Sequence, residues 1–110
     1  MAESPDDVRH AFDDVVNMTP AELERWLETD ESQAVGWGGE DGESVGHESG
    51  RRIVAIKRKK KDDLGEDDYE HMRKVIGYAR RHLAQGGPAD DVEHSKWRYS
   101  LMNWGHDPLK

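Results

Sequence analysis

The sequence contains no cysteine. That excludes a disulfide framework, thiolate metal ligands and thiol nucleophiles, and it fits a reducing compartment. No apolar run approaches the roughly 20 residues that a membrane-spanning helix needs. The opening MAESPDDVRH is acidic and has no signal-peptide core, so a cytoplasmic protein with no membrane partner is expected. Hydrophobic residues are outnumbered by charged ones, 34% against 36% of 110 residues. One small domain is therefore expected over 1–110, with part of it loose. Basic residues are nearly missing from the first half. Residues 1–50 hold 14 Asp/Glu and 2 Lys/Arg, and residues 51–110 hold 10 and 14. The halves carry −12 and +4, which together give the net −8. Such a split marks either a nucleic-acid binder with an acidic arm or two halves that attract each other on folding.

Against this sparse background the clearest signal is Glu66 to Leu83. Tyr69, Met72, Ile76, Ala79 and Leu83 recur at i, i+3, i+7, i+10 and i+14, an apolar seam on one side of a helix. Gly65 precedes three first-turn carboxylates, Leu64 and Tyr69 have staple spacing, and Gly86-Gly87-Pro88 stops the helix. Arg73 and Arg80 flank the seam and Lys74 and Arg81 lie further round, with Gly77 between the two rows. This four-cation face suits a phosphate backbone, or it pairs with the chain's own carboxylates, as Glu70 with Lys74 at i,i+4.

The other elements are shorter. Pro5 to Val16 reads as a helix capped by Ser4, with Val8, Phe12, Val15 and Val16 inward. Thr19 to Glu28 opens with a Thr19/Glu22 capping box and a Met18–Leu23 staple, and buries Leu23, Trp26 and Leu27. Residues 30–50 hold six of the eleven glycines and read as a Gly-rich acidic loop. They lack the GxxxxGK[ST] pattern of a phosphate loop. Trp37 is expected to anchor this loop or to meet a partner. RRIVAIKRKKK, residues 51–61, lies between helices with no strand partner elsewhere and so reads as a helix. It concentrates the cations Arg51, Arg52, Lys57, Arg58, Lys59, Lys60 and Lys61, a phosphate-contacting patch or a charged helix end. Ser95 caps a last helix to Trp104, with Trp97, Leu101 and Trp104 on one face, Gly105 at C′, and a tail expected to fold back.

Catalytic motifs are missing. The six histidines show no HxH, HExxH or i,i+4 pair, no serine sits in a nucleophile elbow, and the Asp pairs fit helix starts. No cofactor, no metal and no enzymatic activity are expected.

Four blocks carry a resemblance: Met18-Thr19-Pro20-Ala21-Glu22-Leu23 through Trp26-Leu27, GESVGHESGRRIV (42–54), DDYEHMRKVIGYARRHLAQ (67–85) and WRYSLMNWGHDPLK (97–110). Together the chain resembles the domain-of-unknown-function 3140 family of small bacterial proteins, over nearly its whole length. The resemblance implies no activity. Members are often labelled DNA-binding proteins, and more often carry leucine at Lys57 and Thr or Ser at Gly65. The block 42–54 also implies an ordered segment there, with Ser49 capping a helix that starts at Gly50 or Arg51.

The reading that results is a compact all-α bundle of four to five helices. The central helix would pack on the first two and be sealed by the C-terminal tryptophans. Its expected function is non-enzymatic association with nucleic acid, DNA foremost. Arg51, Arg52, Lys57, Arg58, Lys59, Lys60 and Lys61 would contact phosphates, helped by Lys74 and Arg81. The alternative is a protein-interaction or stress-related accessory module, working through Trp37 and the acidic loop.

Overall fold

A computed structural model describes residues 4–34 and 45–110. Among these residues there are six helices and no strand. They are α1 Pro5–Val15, α2 Pro20–Leu27, α3 Asp30–Ala34, α4 Val45–Arg58, α5 Glu66–Gln85 and α6 Lys96–Asn103. The fold is all-α. The stop and start signals act locally as their chemistry requires. Ser4 and Thr19 accept from the N–H groups of Asp7 and Glu22 (both 3.1 Å), whose carboxylates reach back to the cap N–H groups. Ser95 accepts from Arg98 N–H in the same way. α5 has a half box: Gly65 offers no side chain, but its N–H donates to Asp68 Oδ2 at 3.0 Å.

Two helix pairs make the body, α1 on α5 and α2 on α4, with α6 laid across α2, α3 and α4. The central helix thus packs chiefly on the first helix, and the second helix belongs to α4. The core comprises Val8, Phe12, Leu23, Leu27, Ile53, Ile56, Met72, Val75, Ala79, Leu101 and Trp104, among others. The α5 seam is shifted from the sequence reading. Val75 is fully buried and Asp68 and His71 also turn inward, whereas Leu83 is 36% exposed. A polar knot ties α6 to the α2–α3 corner. Asn103 Oδ1 accepts from Trp26 Nε1 (2.8 Å) and Ser32 Oγ, while its Nδ2 donates to Ser32 O (3.1 Å). Both Asn103 and Ser32 are buried, so every one of these bonds replaces lost hydration.

The span 30–50 is helical at both ends, in α3 and in the first turns of α4. The loop reading is corrected at both ends, and residues 35–44, Trp37 among them, lie outside those described. Ser49 is no cap; it sits one turn inside α4. Gly50 permits the crossing: a Cβ there would meet Asn103 O and Leu27 Cδ2, each at 2.7 Å. The chain end closes the bundle. Gly105 (φ 80°) completes a Schellman turn, with Gly105 N–H on Met102 O (2.9 Å) and His106 N–H on Leu101 O (3.0 Å). The tail then folds back onto the α1–α2 junction. His106 Nδ1 bonds Val15 O (2.7 Å), Asn17 exchanges two bonds with Asp107 (2.8 and 3.0 Å), and Arg98 grips the Asp107 carboxylate through two nitrogens (3.1 and 3.0 Å). Burial pulls the Asp107 pKa up, but Arg98 and the Leu109 N–H outweigh it and hold the group below the usual range.

Candidate anion-binding surface

The cations of residues 51–61 are carried on the outer side of α4 and the turn after it, because Ile53, Val54 and Ile56 take the inward positions. Among the described residues, four of these seven cations meet carboxylates. Lys57 Nζ donates to Asp13 Oδ1 (2.9 Å) and stands over the Phe12 ring. Arg58 forks onto Glu24 (2.8 and 2.7 Å), and Lys59 donates to Asp68 (2.8 Å). Lys61 lies 3.8 Å from Asp6. Three of the acceptors, Asp6, Asp13 and Glu24, come from the acidic first half. The pairs leave their mark on the acids: Lys59 and the Gly65 N–H depress the Asp68 pKa, and the Arg58 fork depresses that of Glu24. Lys60 is exposed and in no ion pair among the described residues; Arg51 is exposed beside Leu27, His47 and Val54, lining a cleft of about 490 Å³. Exposed pairs of this kind are individually weak. Even so, each carboxylate is anchored on a packed helix, so an approaching phosphate meets a dipole there and no net positive charge.

The outward face of α5 differs. Residues 71–85 contain no Asp or Glu. Arg73, Lys74, Arg80 and Arg81 are all exposed, and no ion pair among the described residues involves any of them. Glu70 and Lys74 do not pair. The Arg81 guanidinium leans over Gly77, with Nη1 3.1 Å from where a Cβ would stand.

Between α4 and α5, which touch little along their length, runs a groove with Arg52 at its middle. Its floor is a buried pair, Ser49 Oγ and His71 Nε2 at 2.9 Å. Among the described residues, the buried side-chain polar atom without a hydrogen-bond partner is His82 Nε2. The His71 pKa is pushed down, first by burial and then by Arg52 and Lys74, whose effects exceed the opposing pull of Glu48. The ring stacks on Trp104 (6.3 Å), and from there a column continues through Tyr78 (4.2 Å), His82 (5.4 Å) and Trp97 (6.1 Å), all within 16° of parallel. These rings cover one another's faces, and Gly87 lies against Trp97, where a Cβ would come within 2.7 Å. The column is part of the packing between α5 and the C-terminal segment.

The family comparison agrees with this arrangement of blocks. A family described as protein of unknown function (DUF3140) matches residues 11–102. The chain belongs to the DUF3140 family. No curated protein and no solved structure matches it. In this DUF3140 chain the nine residues expected at a phosphate-binding surface are thus divided. Lys57, Arg58, Lys59 and Lys61 are engaged with carboxylates, Arg52 faces the α4–α5 groove, and Lys74 and Arg81 share the α5 face with Arg73 and Arg80. The Ser49–His71 pair was not visible as a motif, because its members lie 22 residues apart on different helices. Among the described residues, no helix is long and apolar enough to cross a membrane.

Proposed function

We propose that this chain binds duplex nucleic acid, DNA foremost, through the outward face of α5, without catalysing a reaction. One observation carries the reading: Arg73, Lys74, Arg80 and Arg81 form no ion pair among the described residues and stand on four helical turns that hold no carboxylate. Cations on both flanks of an exposed helix, about 10 Å apart along its axis, suit the phosphates on either side of a groove. The protein is acidic overall, so attraction must be local, and at physiological salt charges beyond about 8 Å are largely screened. The charges nearest the α5 face therefore set the field felt there. The binding is electrostatic and carries no base readout of its own. The lack of cysteine accords with the cytoplasmic address that such a partner needs.

The test compares two charge-neutralised variants by anisotropy of a labelled duplex at low salt. Arg73→Gln/Lys74→Gln/Arg80→Gln/Arg81→Gln should lose binding. Lys57→Gln/Arg58→Gln/Lys61→Gln, which removes only cations already matched by carboxylates, should retain most of it. The reverse ranking, or no binding by the parent chain, overturns the proposal.

A further inference from the structure

We infer that Gly77 is the positioning residue of the α5 face: a seat without a side chain that lets the helix descend into the major groove of a duplex until both rows of cations reach phosphates. This rests on the duplex reading above and deepens it.

Glycine in a helix interior is disfavoured against alanine, because it loses more backbone freedom on folding. It is ordinarily kept there for packing or for the close approach of another molecule. The glycines of α4 have packing reasons. A Cβ at Gly46 would stand 3.2 Å from Trp104 Nε1, and one at Gly50 only 2.7 Å from Asn103 O. Gly77 lies well inside the 20-residue α5 and has no such reason. It is not among the positive-φ glycines, which are Gly86 and Gly105. Among the described residues, a Cβ there would meet only the Arg81 guanidinium, with Nη1 at 3.1 Å and Cζ at 3.9 Å. The fold does not use the space.

What surrounds the space is charge. At about 100° per residue, Arg73 and Arg80 fall about 40° and 60° to one side of Gly77, and Arg81 and Lys74 about 40° and 60° to the other. The bare backbone lies between two rows. All four cations are exposed, and none is in an ion pair among the described residues. Ala84, exposed and small, continues the channel between the rows. Glu70, about two turns before Gly77 on nearly the same line, closes it, since a carboxylate there repels phosphate. A major groove about 12 Å wide only just admits a helix about 10–12 Å across. A side chain on the leading line would hold the axis off the groove floor. Without one the helix sinks further, and its two shoulders meet the phosphates of opposite strands. The seat supplies shape and reads no base.

The test follows duplex anisotropy across salt for the intact parent chain, Gly77→Leu, Gly77→Gln and Ala55→Leu. Ala55 is exposed on α4, so its variant adds bulk away from the α5 face. Four phosphate contacts give the parent a slope of log affinity against log salt of about −3.6. Bulk at position 77 props the helix so that one row of two cations reaches a strand, and the slope should fall to about −1.8. With the two lines meeting near 1 M salt, affinity at roughly 0.1 M should drop about 60-fold. Leu and Gln should act alike, because the cause is size, and Ala55→Leu should keep the parent's slope. Circular-dichroism melts of both position-77 variants should lie at or above the parent. Melting below it would assign Gly77 to the fold and overturn the inference. So would a parent-like slope in both variants while the four-cation variant above loses binding, an outcome that leaves the duplex reading standing. No binding by the parent overturns both.

Discussion

Gly50→Ala and Gly77→Ala are the same substitution in two helix interiors, with opposite expected signs. In an open helix, Ala in place of Gly gains about 0.8–1 kcal/mol, because the glycine loses more backbone freedom on folding. At Gly77 the only close neighbour of the new methyl is the Arg81 guanidinium, 3.1 Å away at the end of a flexible side chain. Arg81 swings aside and most of the gain is kept. At Gly50 the methyl meets Asn103 O, which is backbone, and Leu27 Cδ2, both at 2.7 Å. Neither can yield without moving α6 away from α4 or repacking Leu27. Overpacking of this kind costs about 1–3 kcal/mol, and a backbone obstacle puts it toward the upper end. The net for Gly50→Ala is then a loss of about 1–2 kcal/mol once the propensity gain is subtracted. At roughly 4 °C per kcal/mol for a domain of this size, thermal melts followed by circular dichroism should show Gly77→Ala about 3 °C above the parent and Gly50→Ala about 4–8 °C below. Equal shifts in the same direction would refute the packing assigned to the α4–α6 crossing.

Three further outcomes are expected. Asn103→Ala should cost about 2–4 kcal/mol in urea unfolding, because it strands Trp26 Nε1 and the buried Ser32 Oγ and removes buried contacts. Asn103→Asp, which keeps the acceptor but buries a charge, should show a stability that improves as pH falls and the acid is neutralised. In the parent chain stability should instead fall on acidification. The folded His71 has a lowered pKa, so the unfolded chain takes its proton first; that contribution is whole above about pH 6.5 and is lost as pH drops through the folded value. His71→Gln should remove this step. A second loss begins below about pH 4, where the unfolded carboxylates protonate before Asp68, Asp107, Glu24 and Glu22 do in the fold. Lys110 and the Thr19 cap pull Glu22 down to about 2. Urea midpoints measured across pH would expose both steps, and a flat profile would contradict them.

What the sequence made legible was local. Ser4, Thr19 and Ser95 each cap a helix because the side chain and the N–H it receives lie three residues apart. Gly105 ends α6 for a reason equally confined to its own turn. The start of α4 was hidden, since Gly46 and Gly50 look like loop punctuation. In the fold they are spaces for Trp104, Asn103 and Leu27, the last of which lies on α2 and the others far along the chain on or next to α6. The candidate site was hidden for the same reason. No spacing rule joins Ser49 to His71 or Arg58 to Glu24; only the α4–α5 and α2–α4 packings do. The α5 cations were readable from the helical wheel. That they form no ion pair among the described residues, while four cations of the Arg51–Lys61 run do, is a property of the assembled charges.

The most direct test of that division is the salt dependence of duplex binding by the unmodified chain. Four phosphate contacts from the α5 face predict a slope of log affinity against log salt of about −3.6, a loss of about 150-fold between roughly 50 and 200 mM. Nine contacts, from the seven cations of the Arg51–Lys61 run together with Lys74 and Arg81, would give about −8 and a loss near 10⁵-fold over the same range. A slope near −3.6 supports the account, and one near −8 contradicts it.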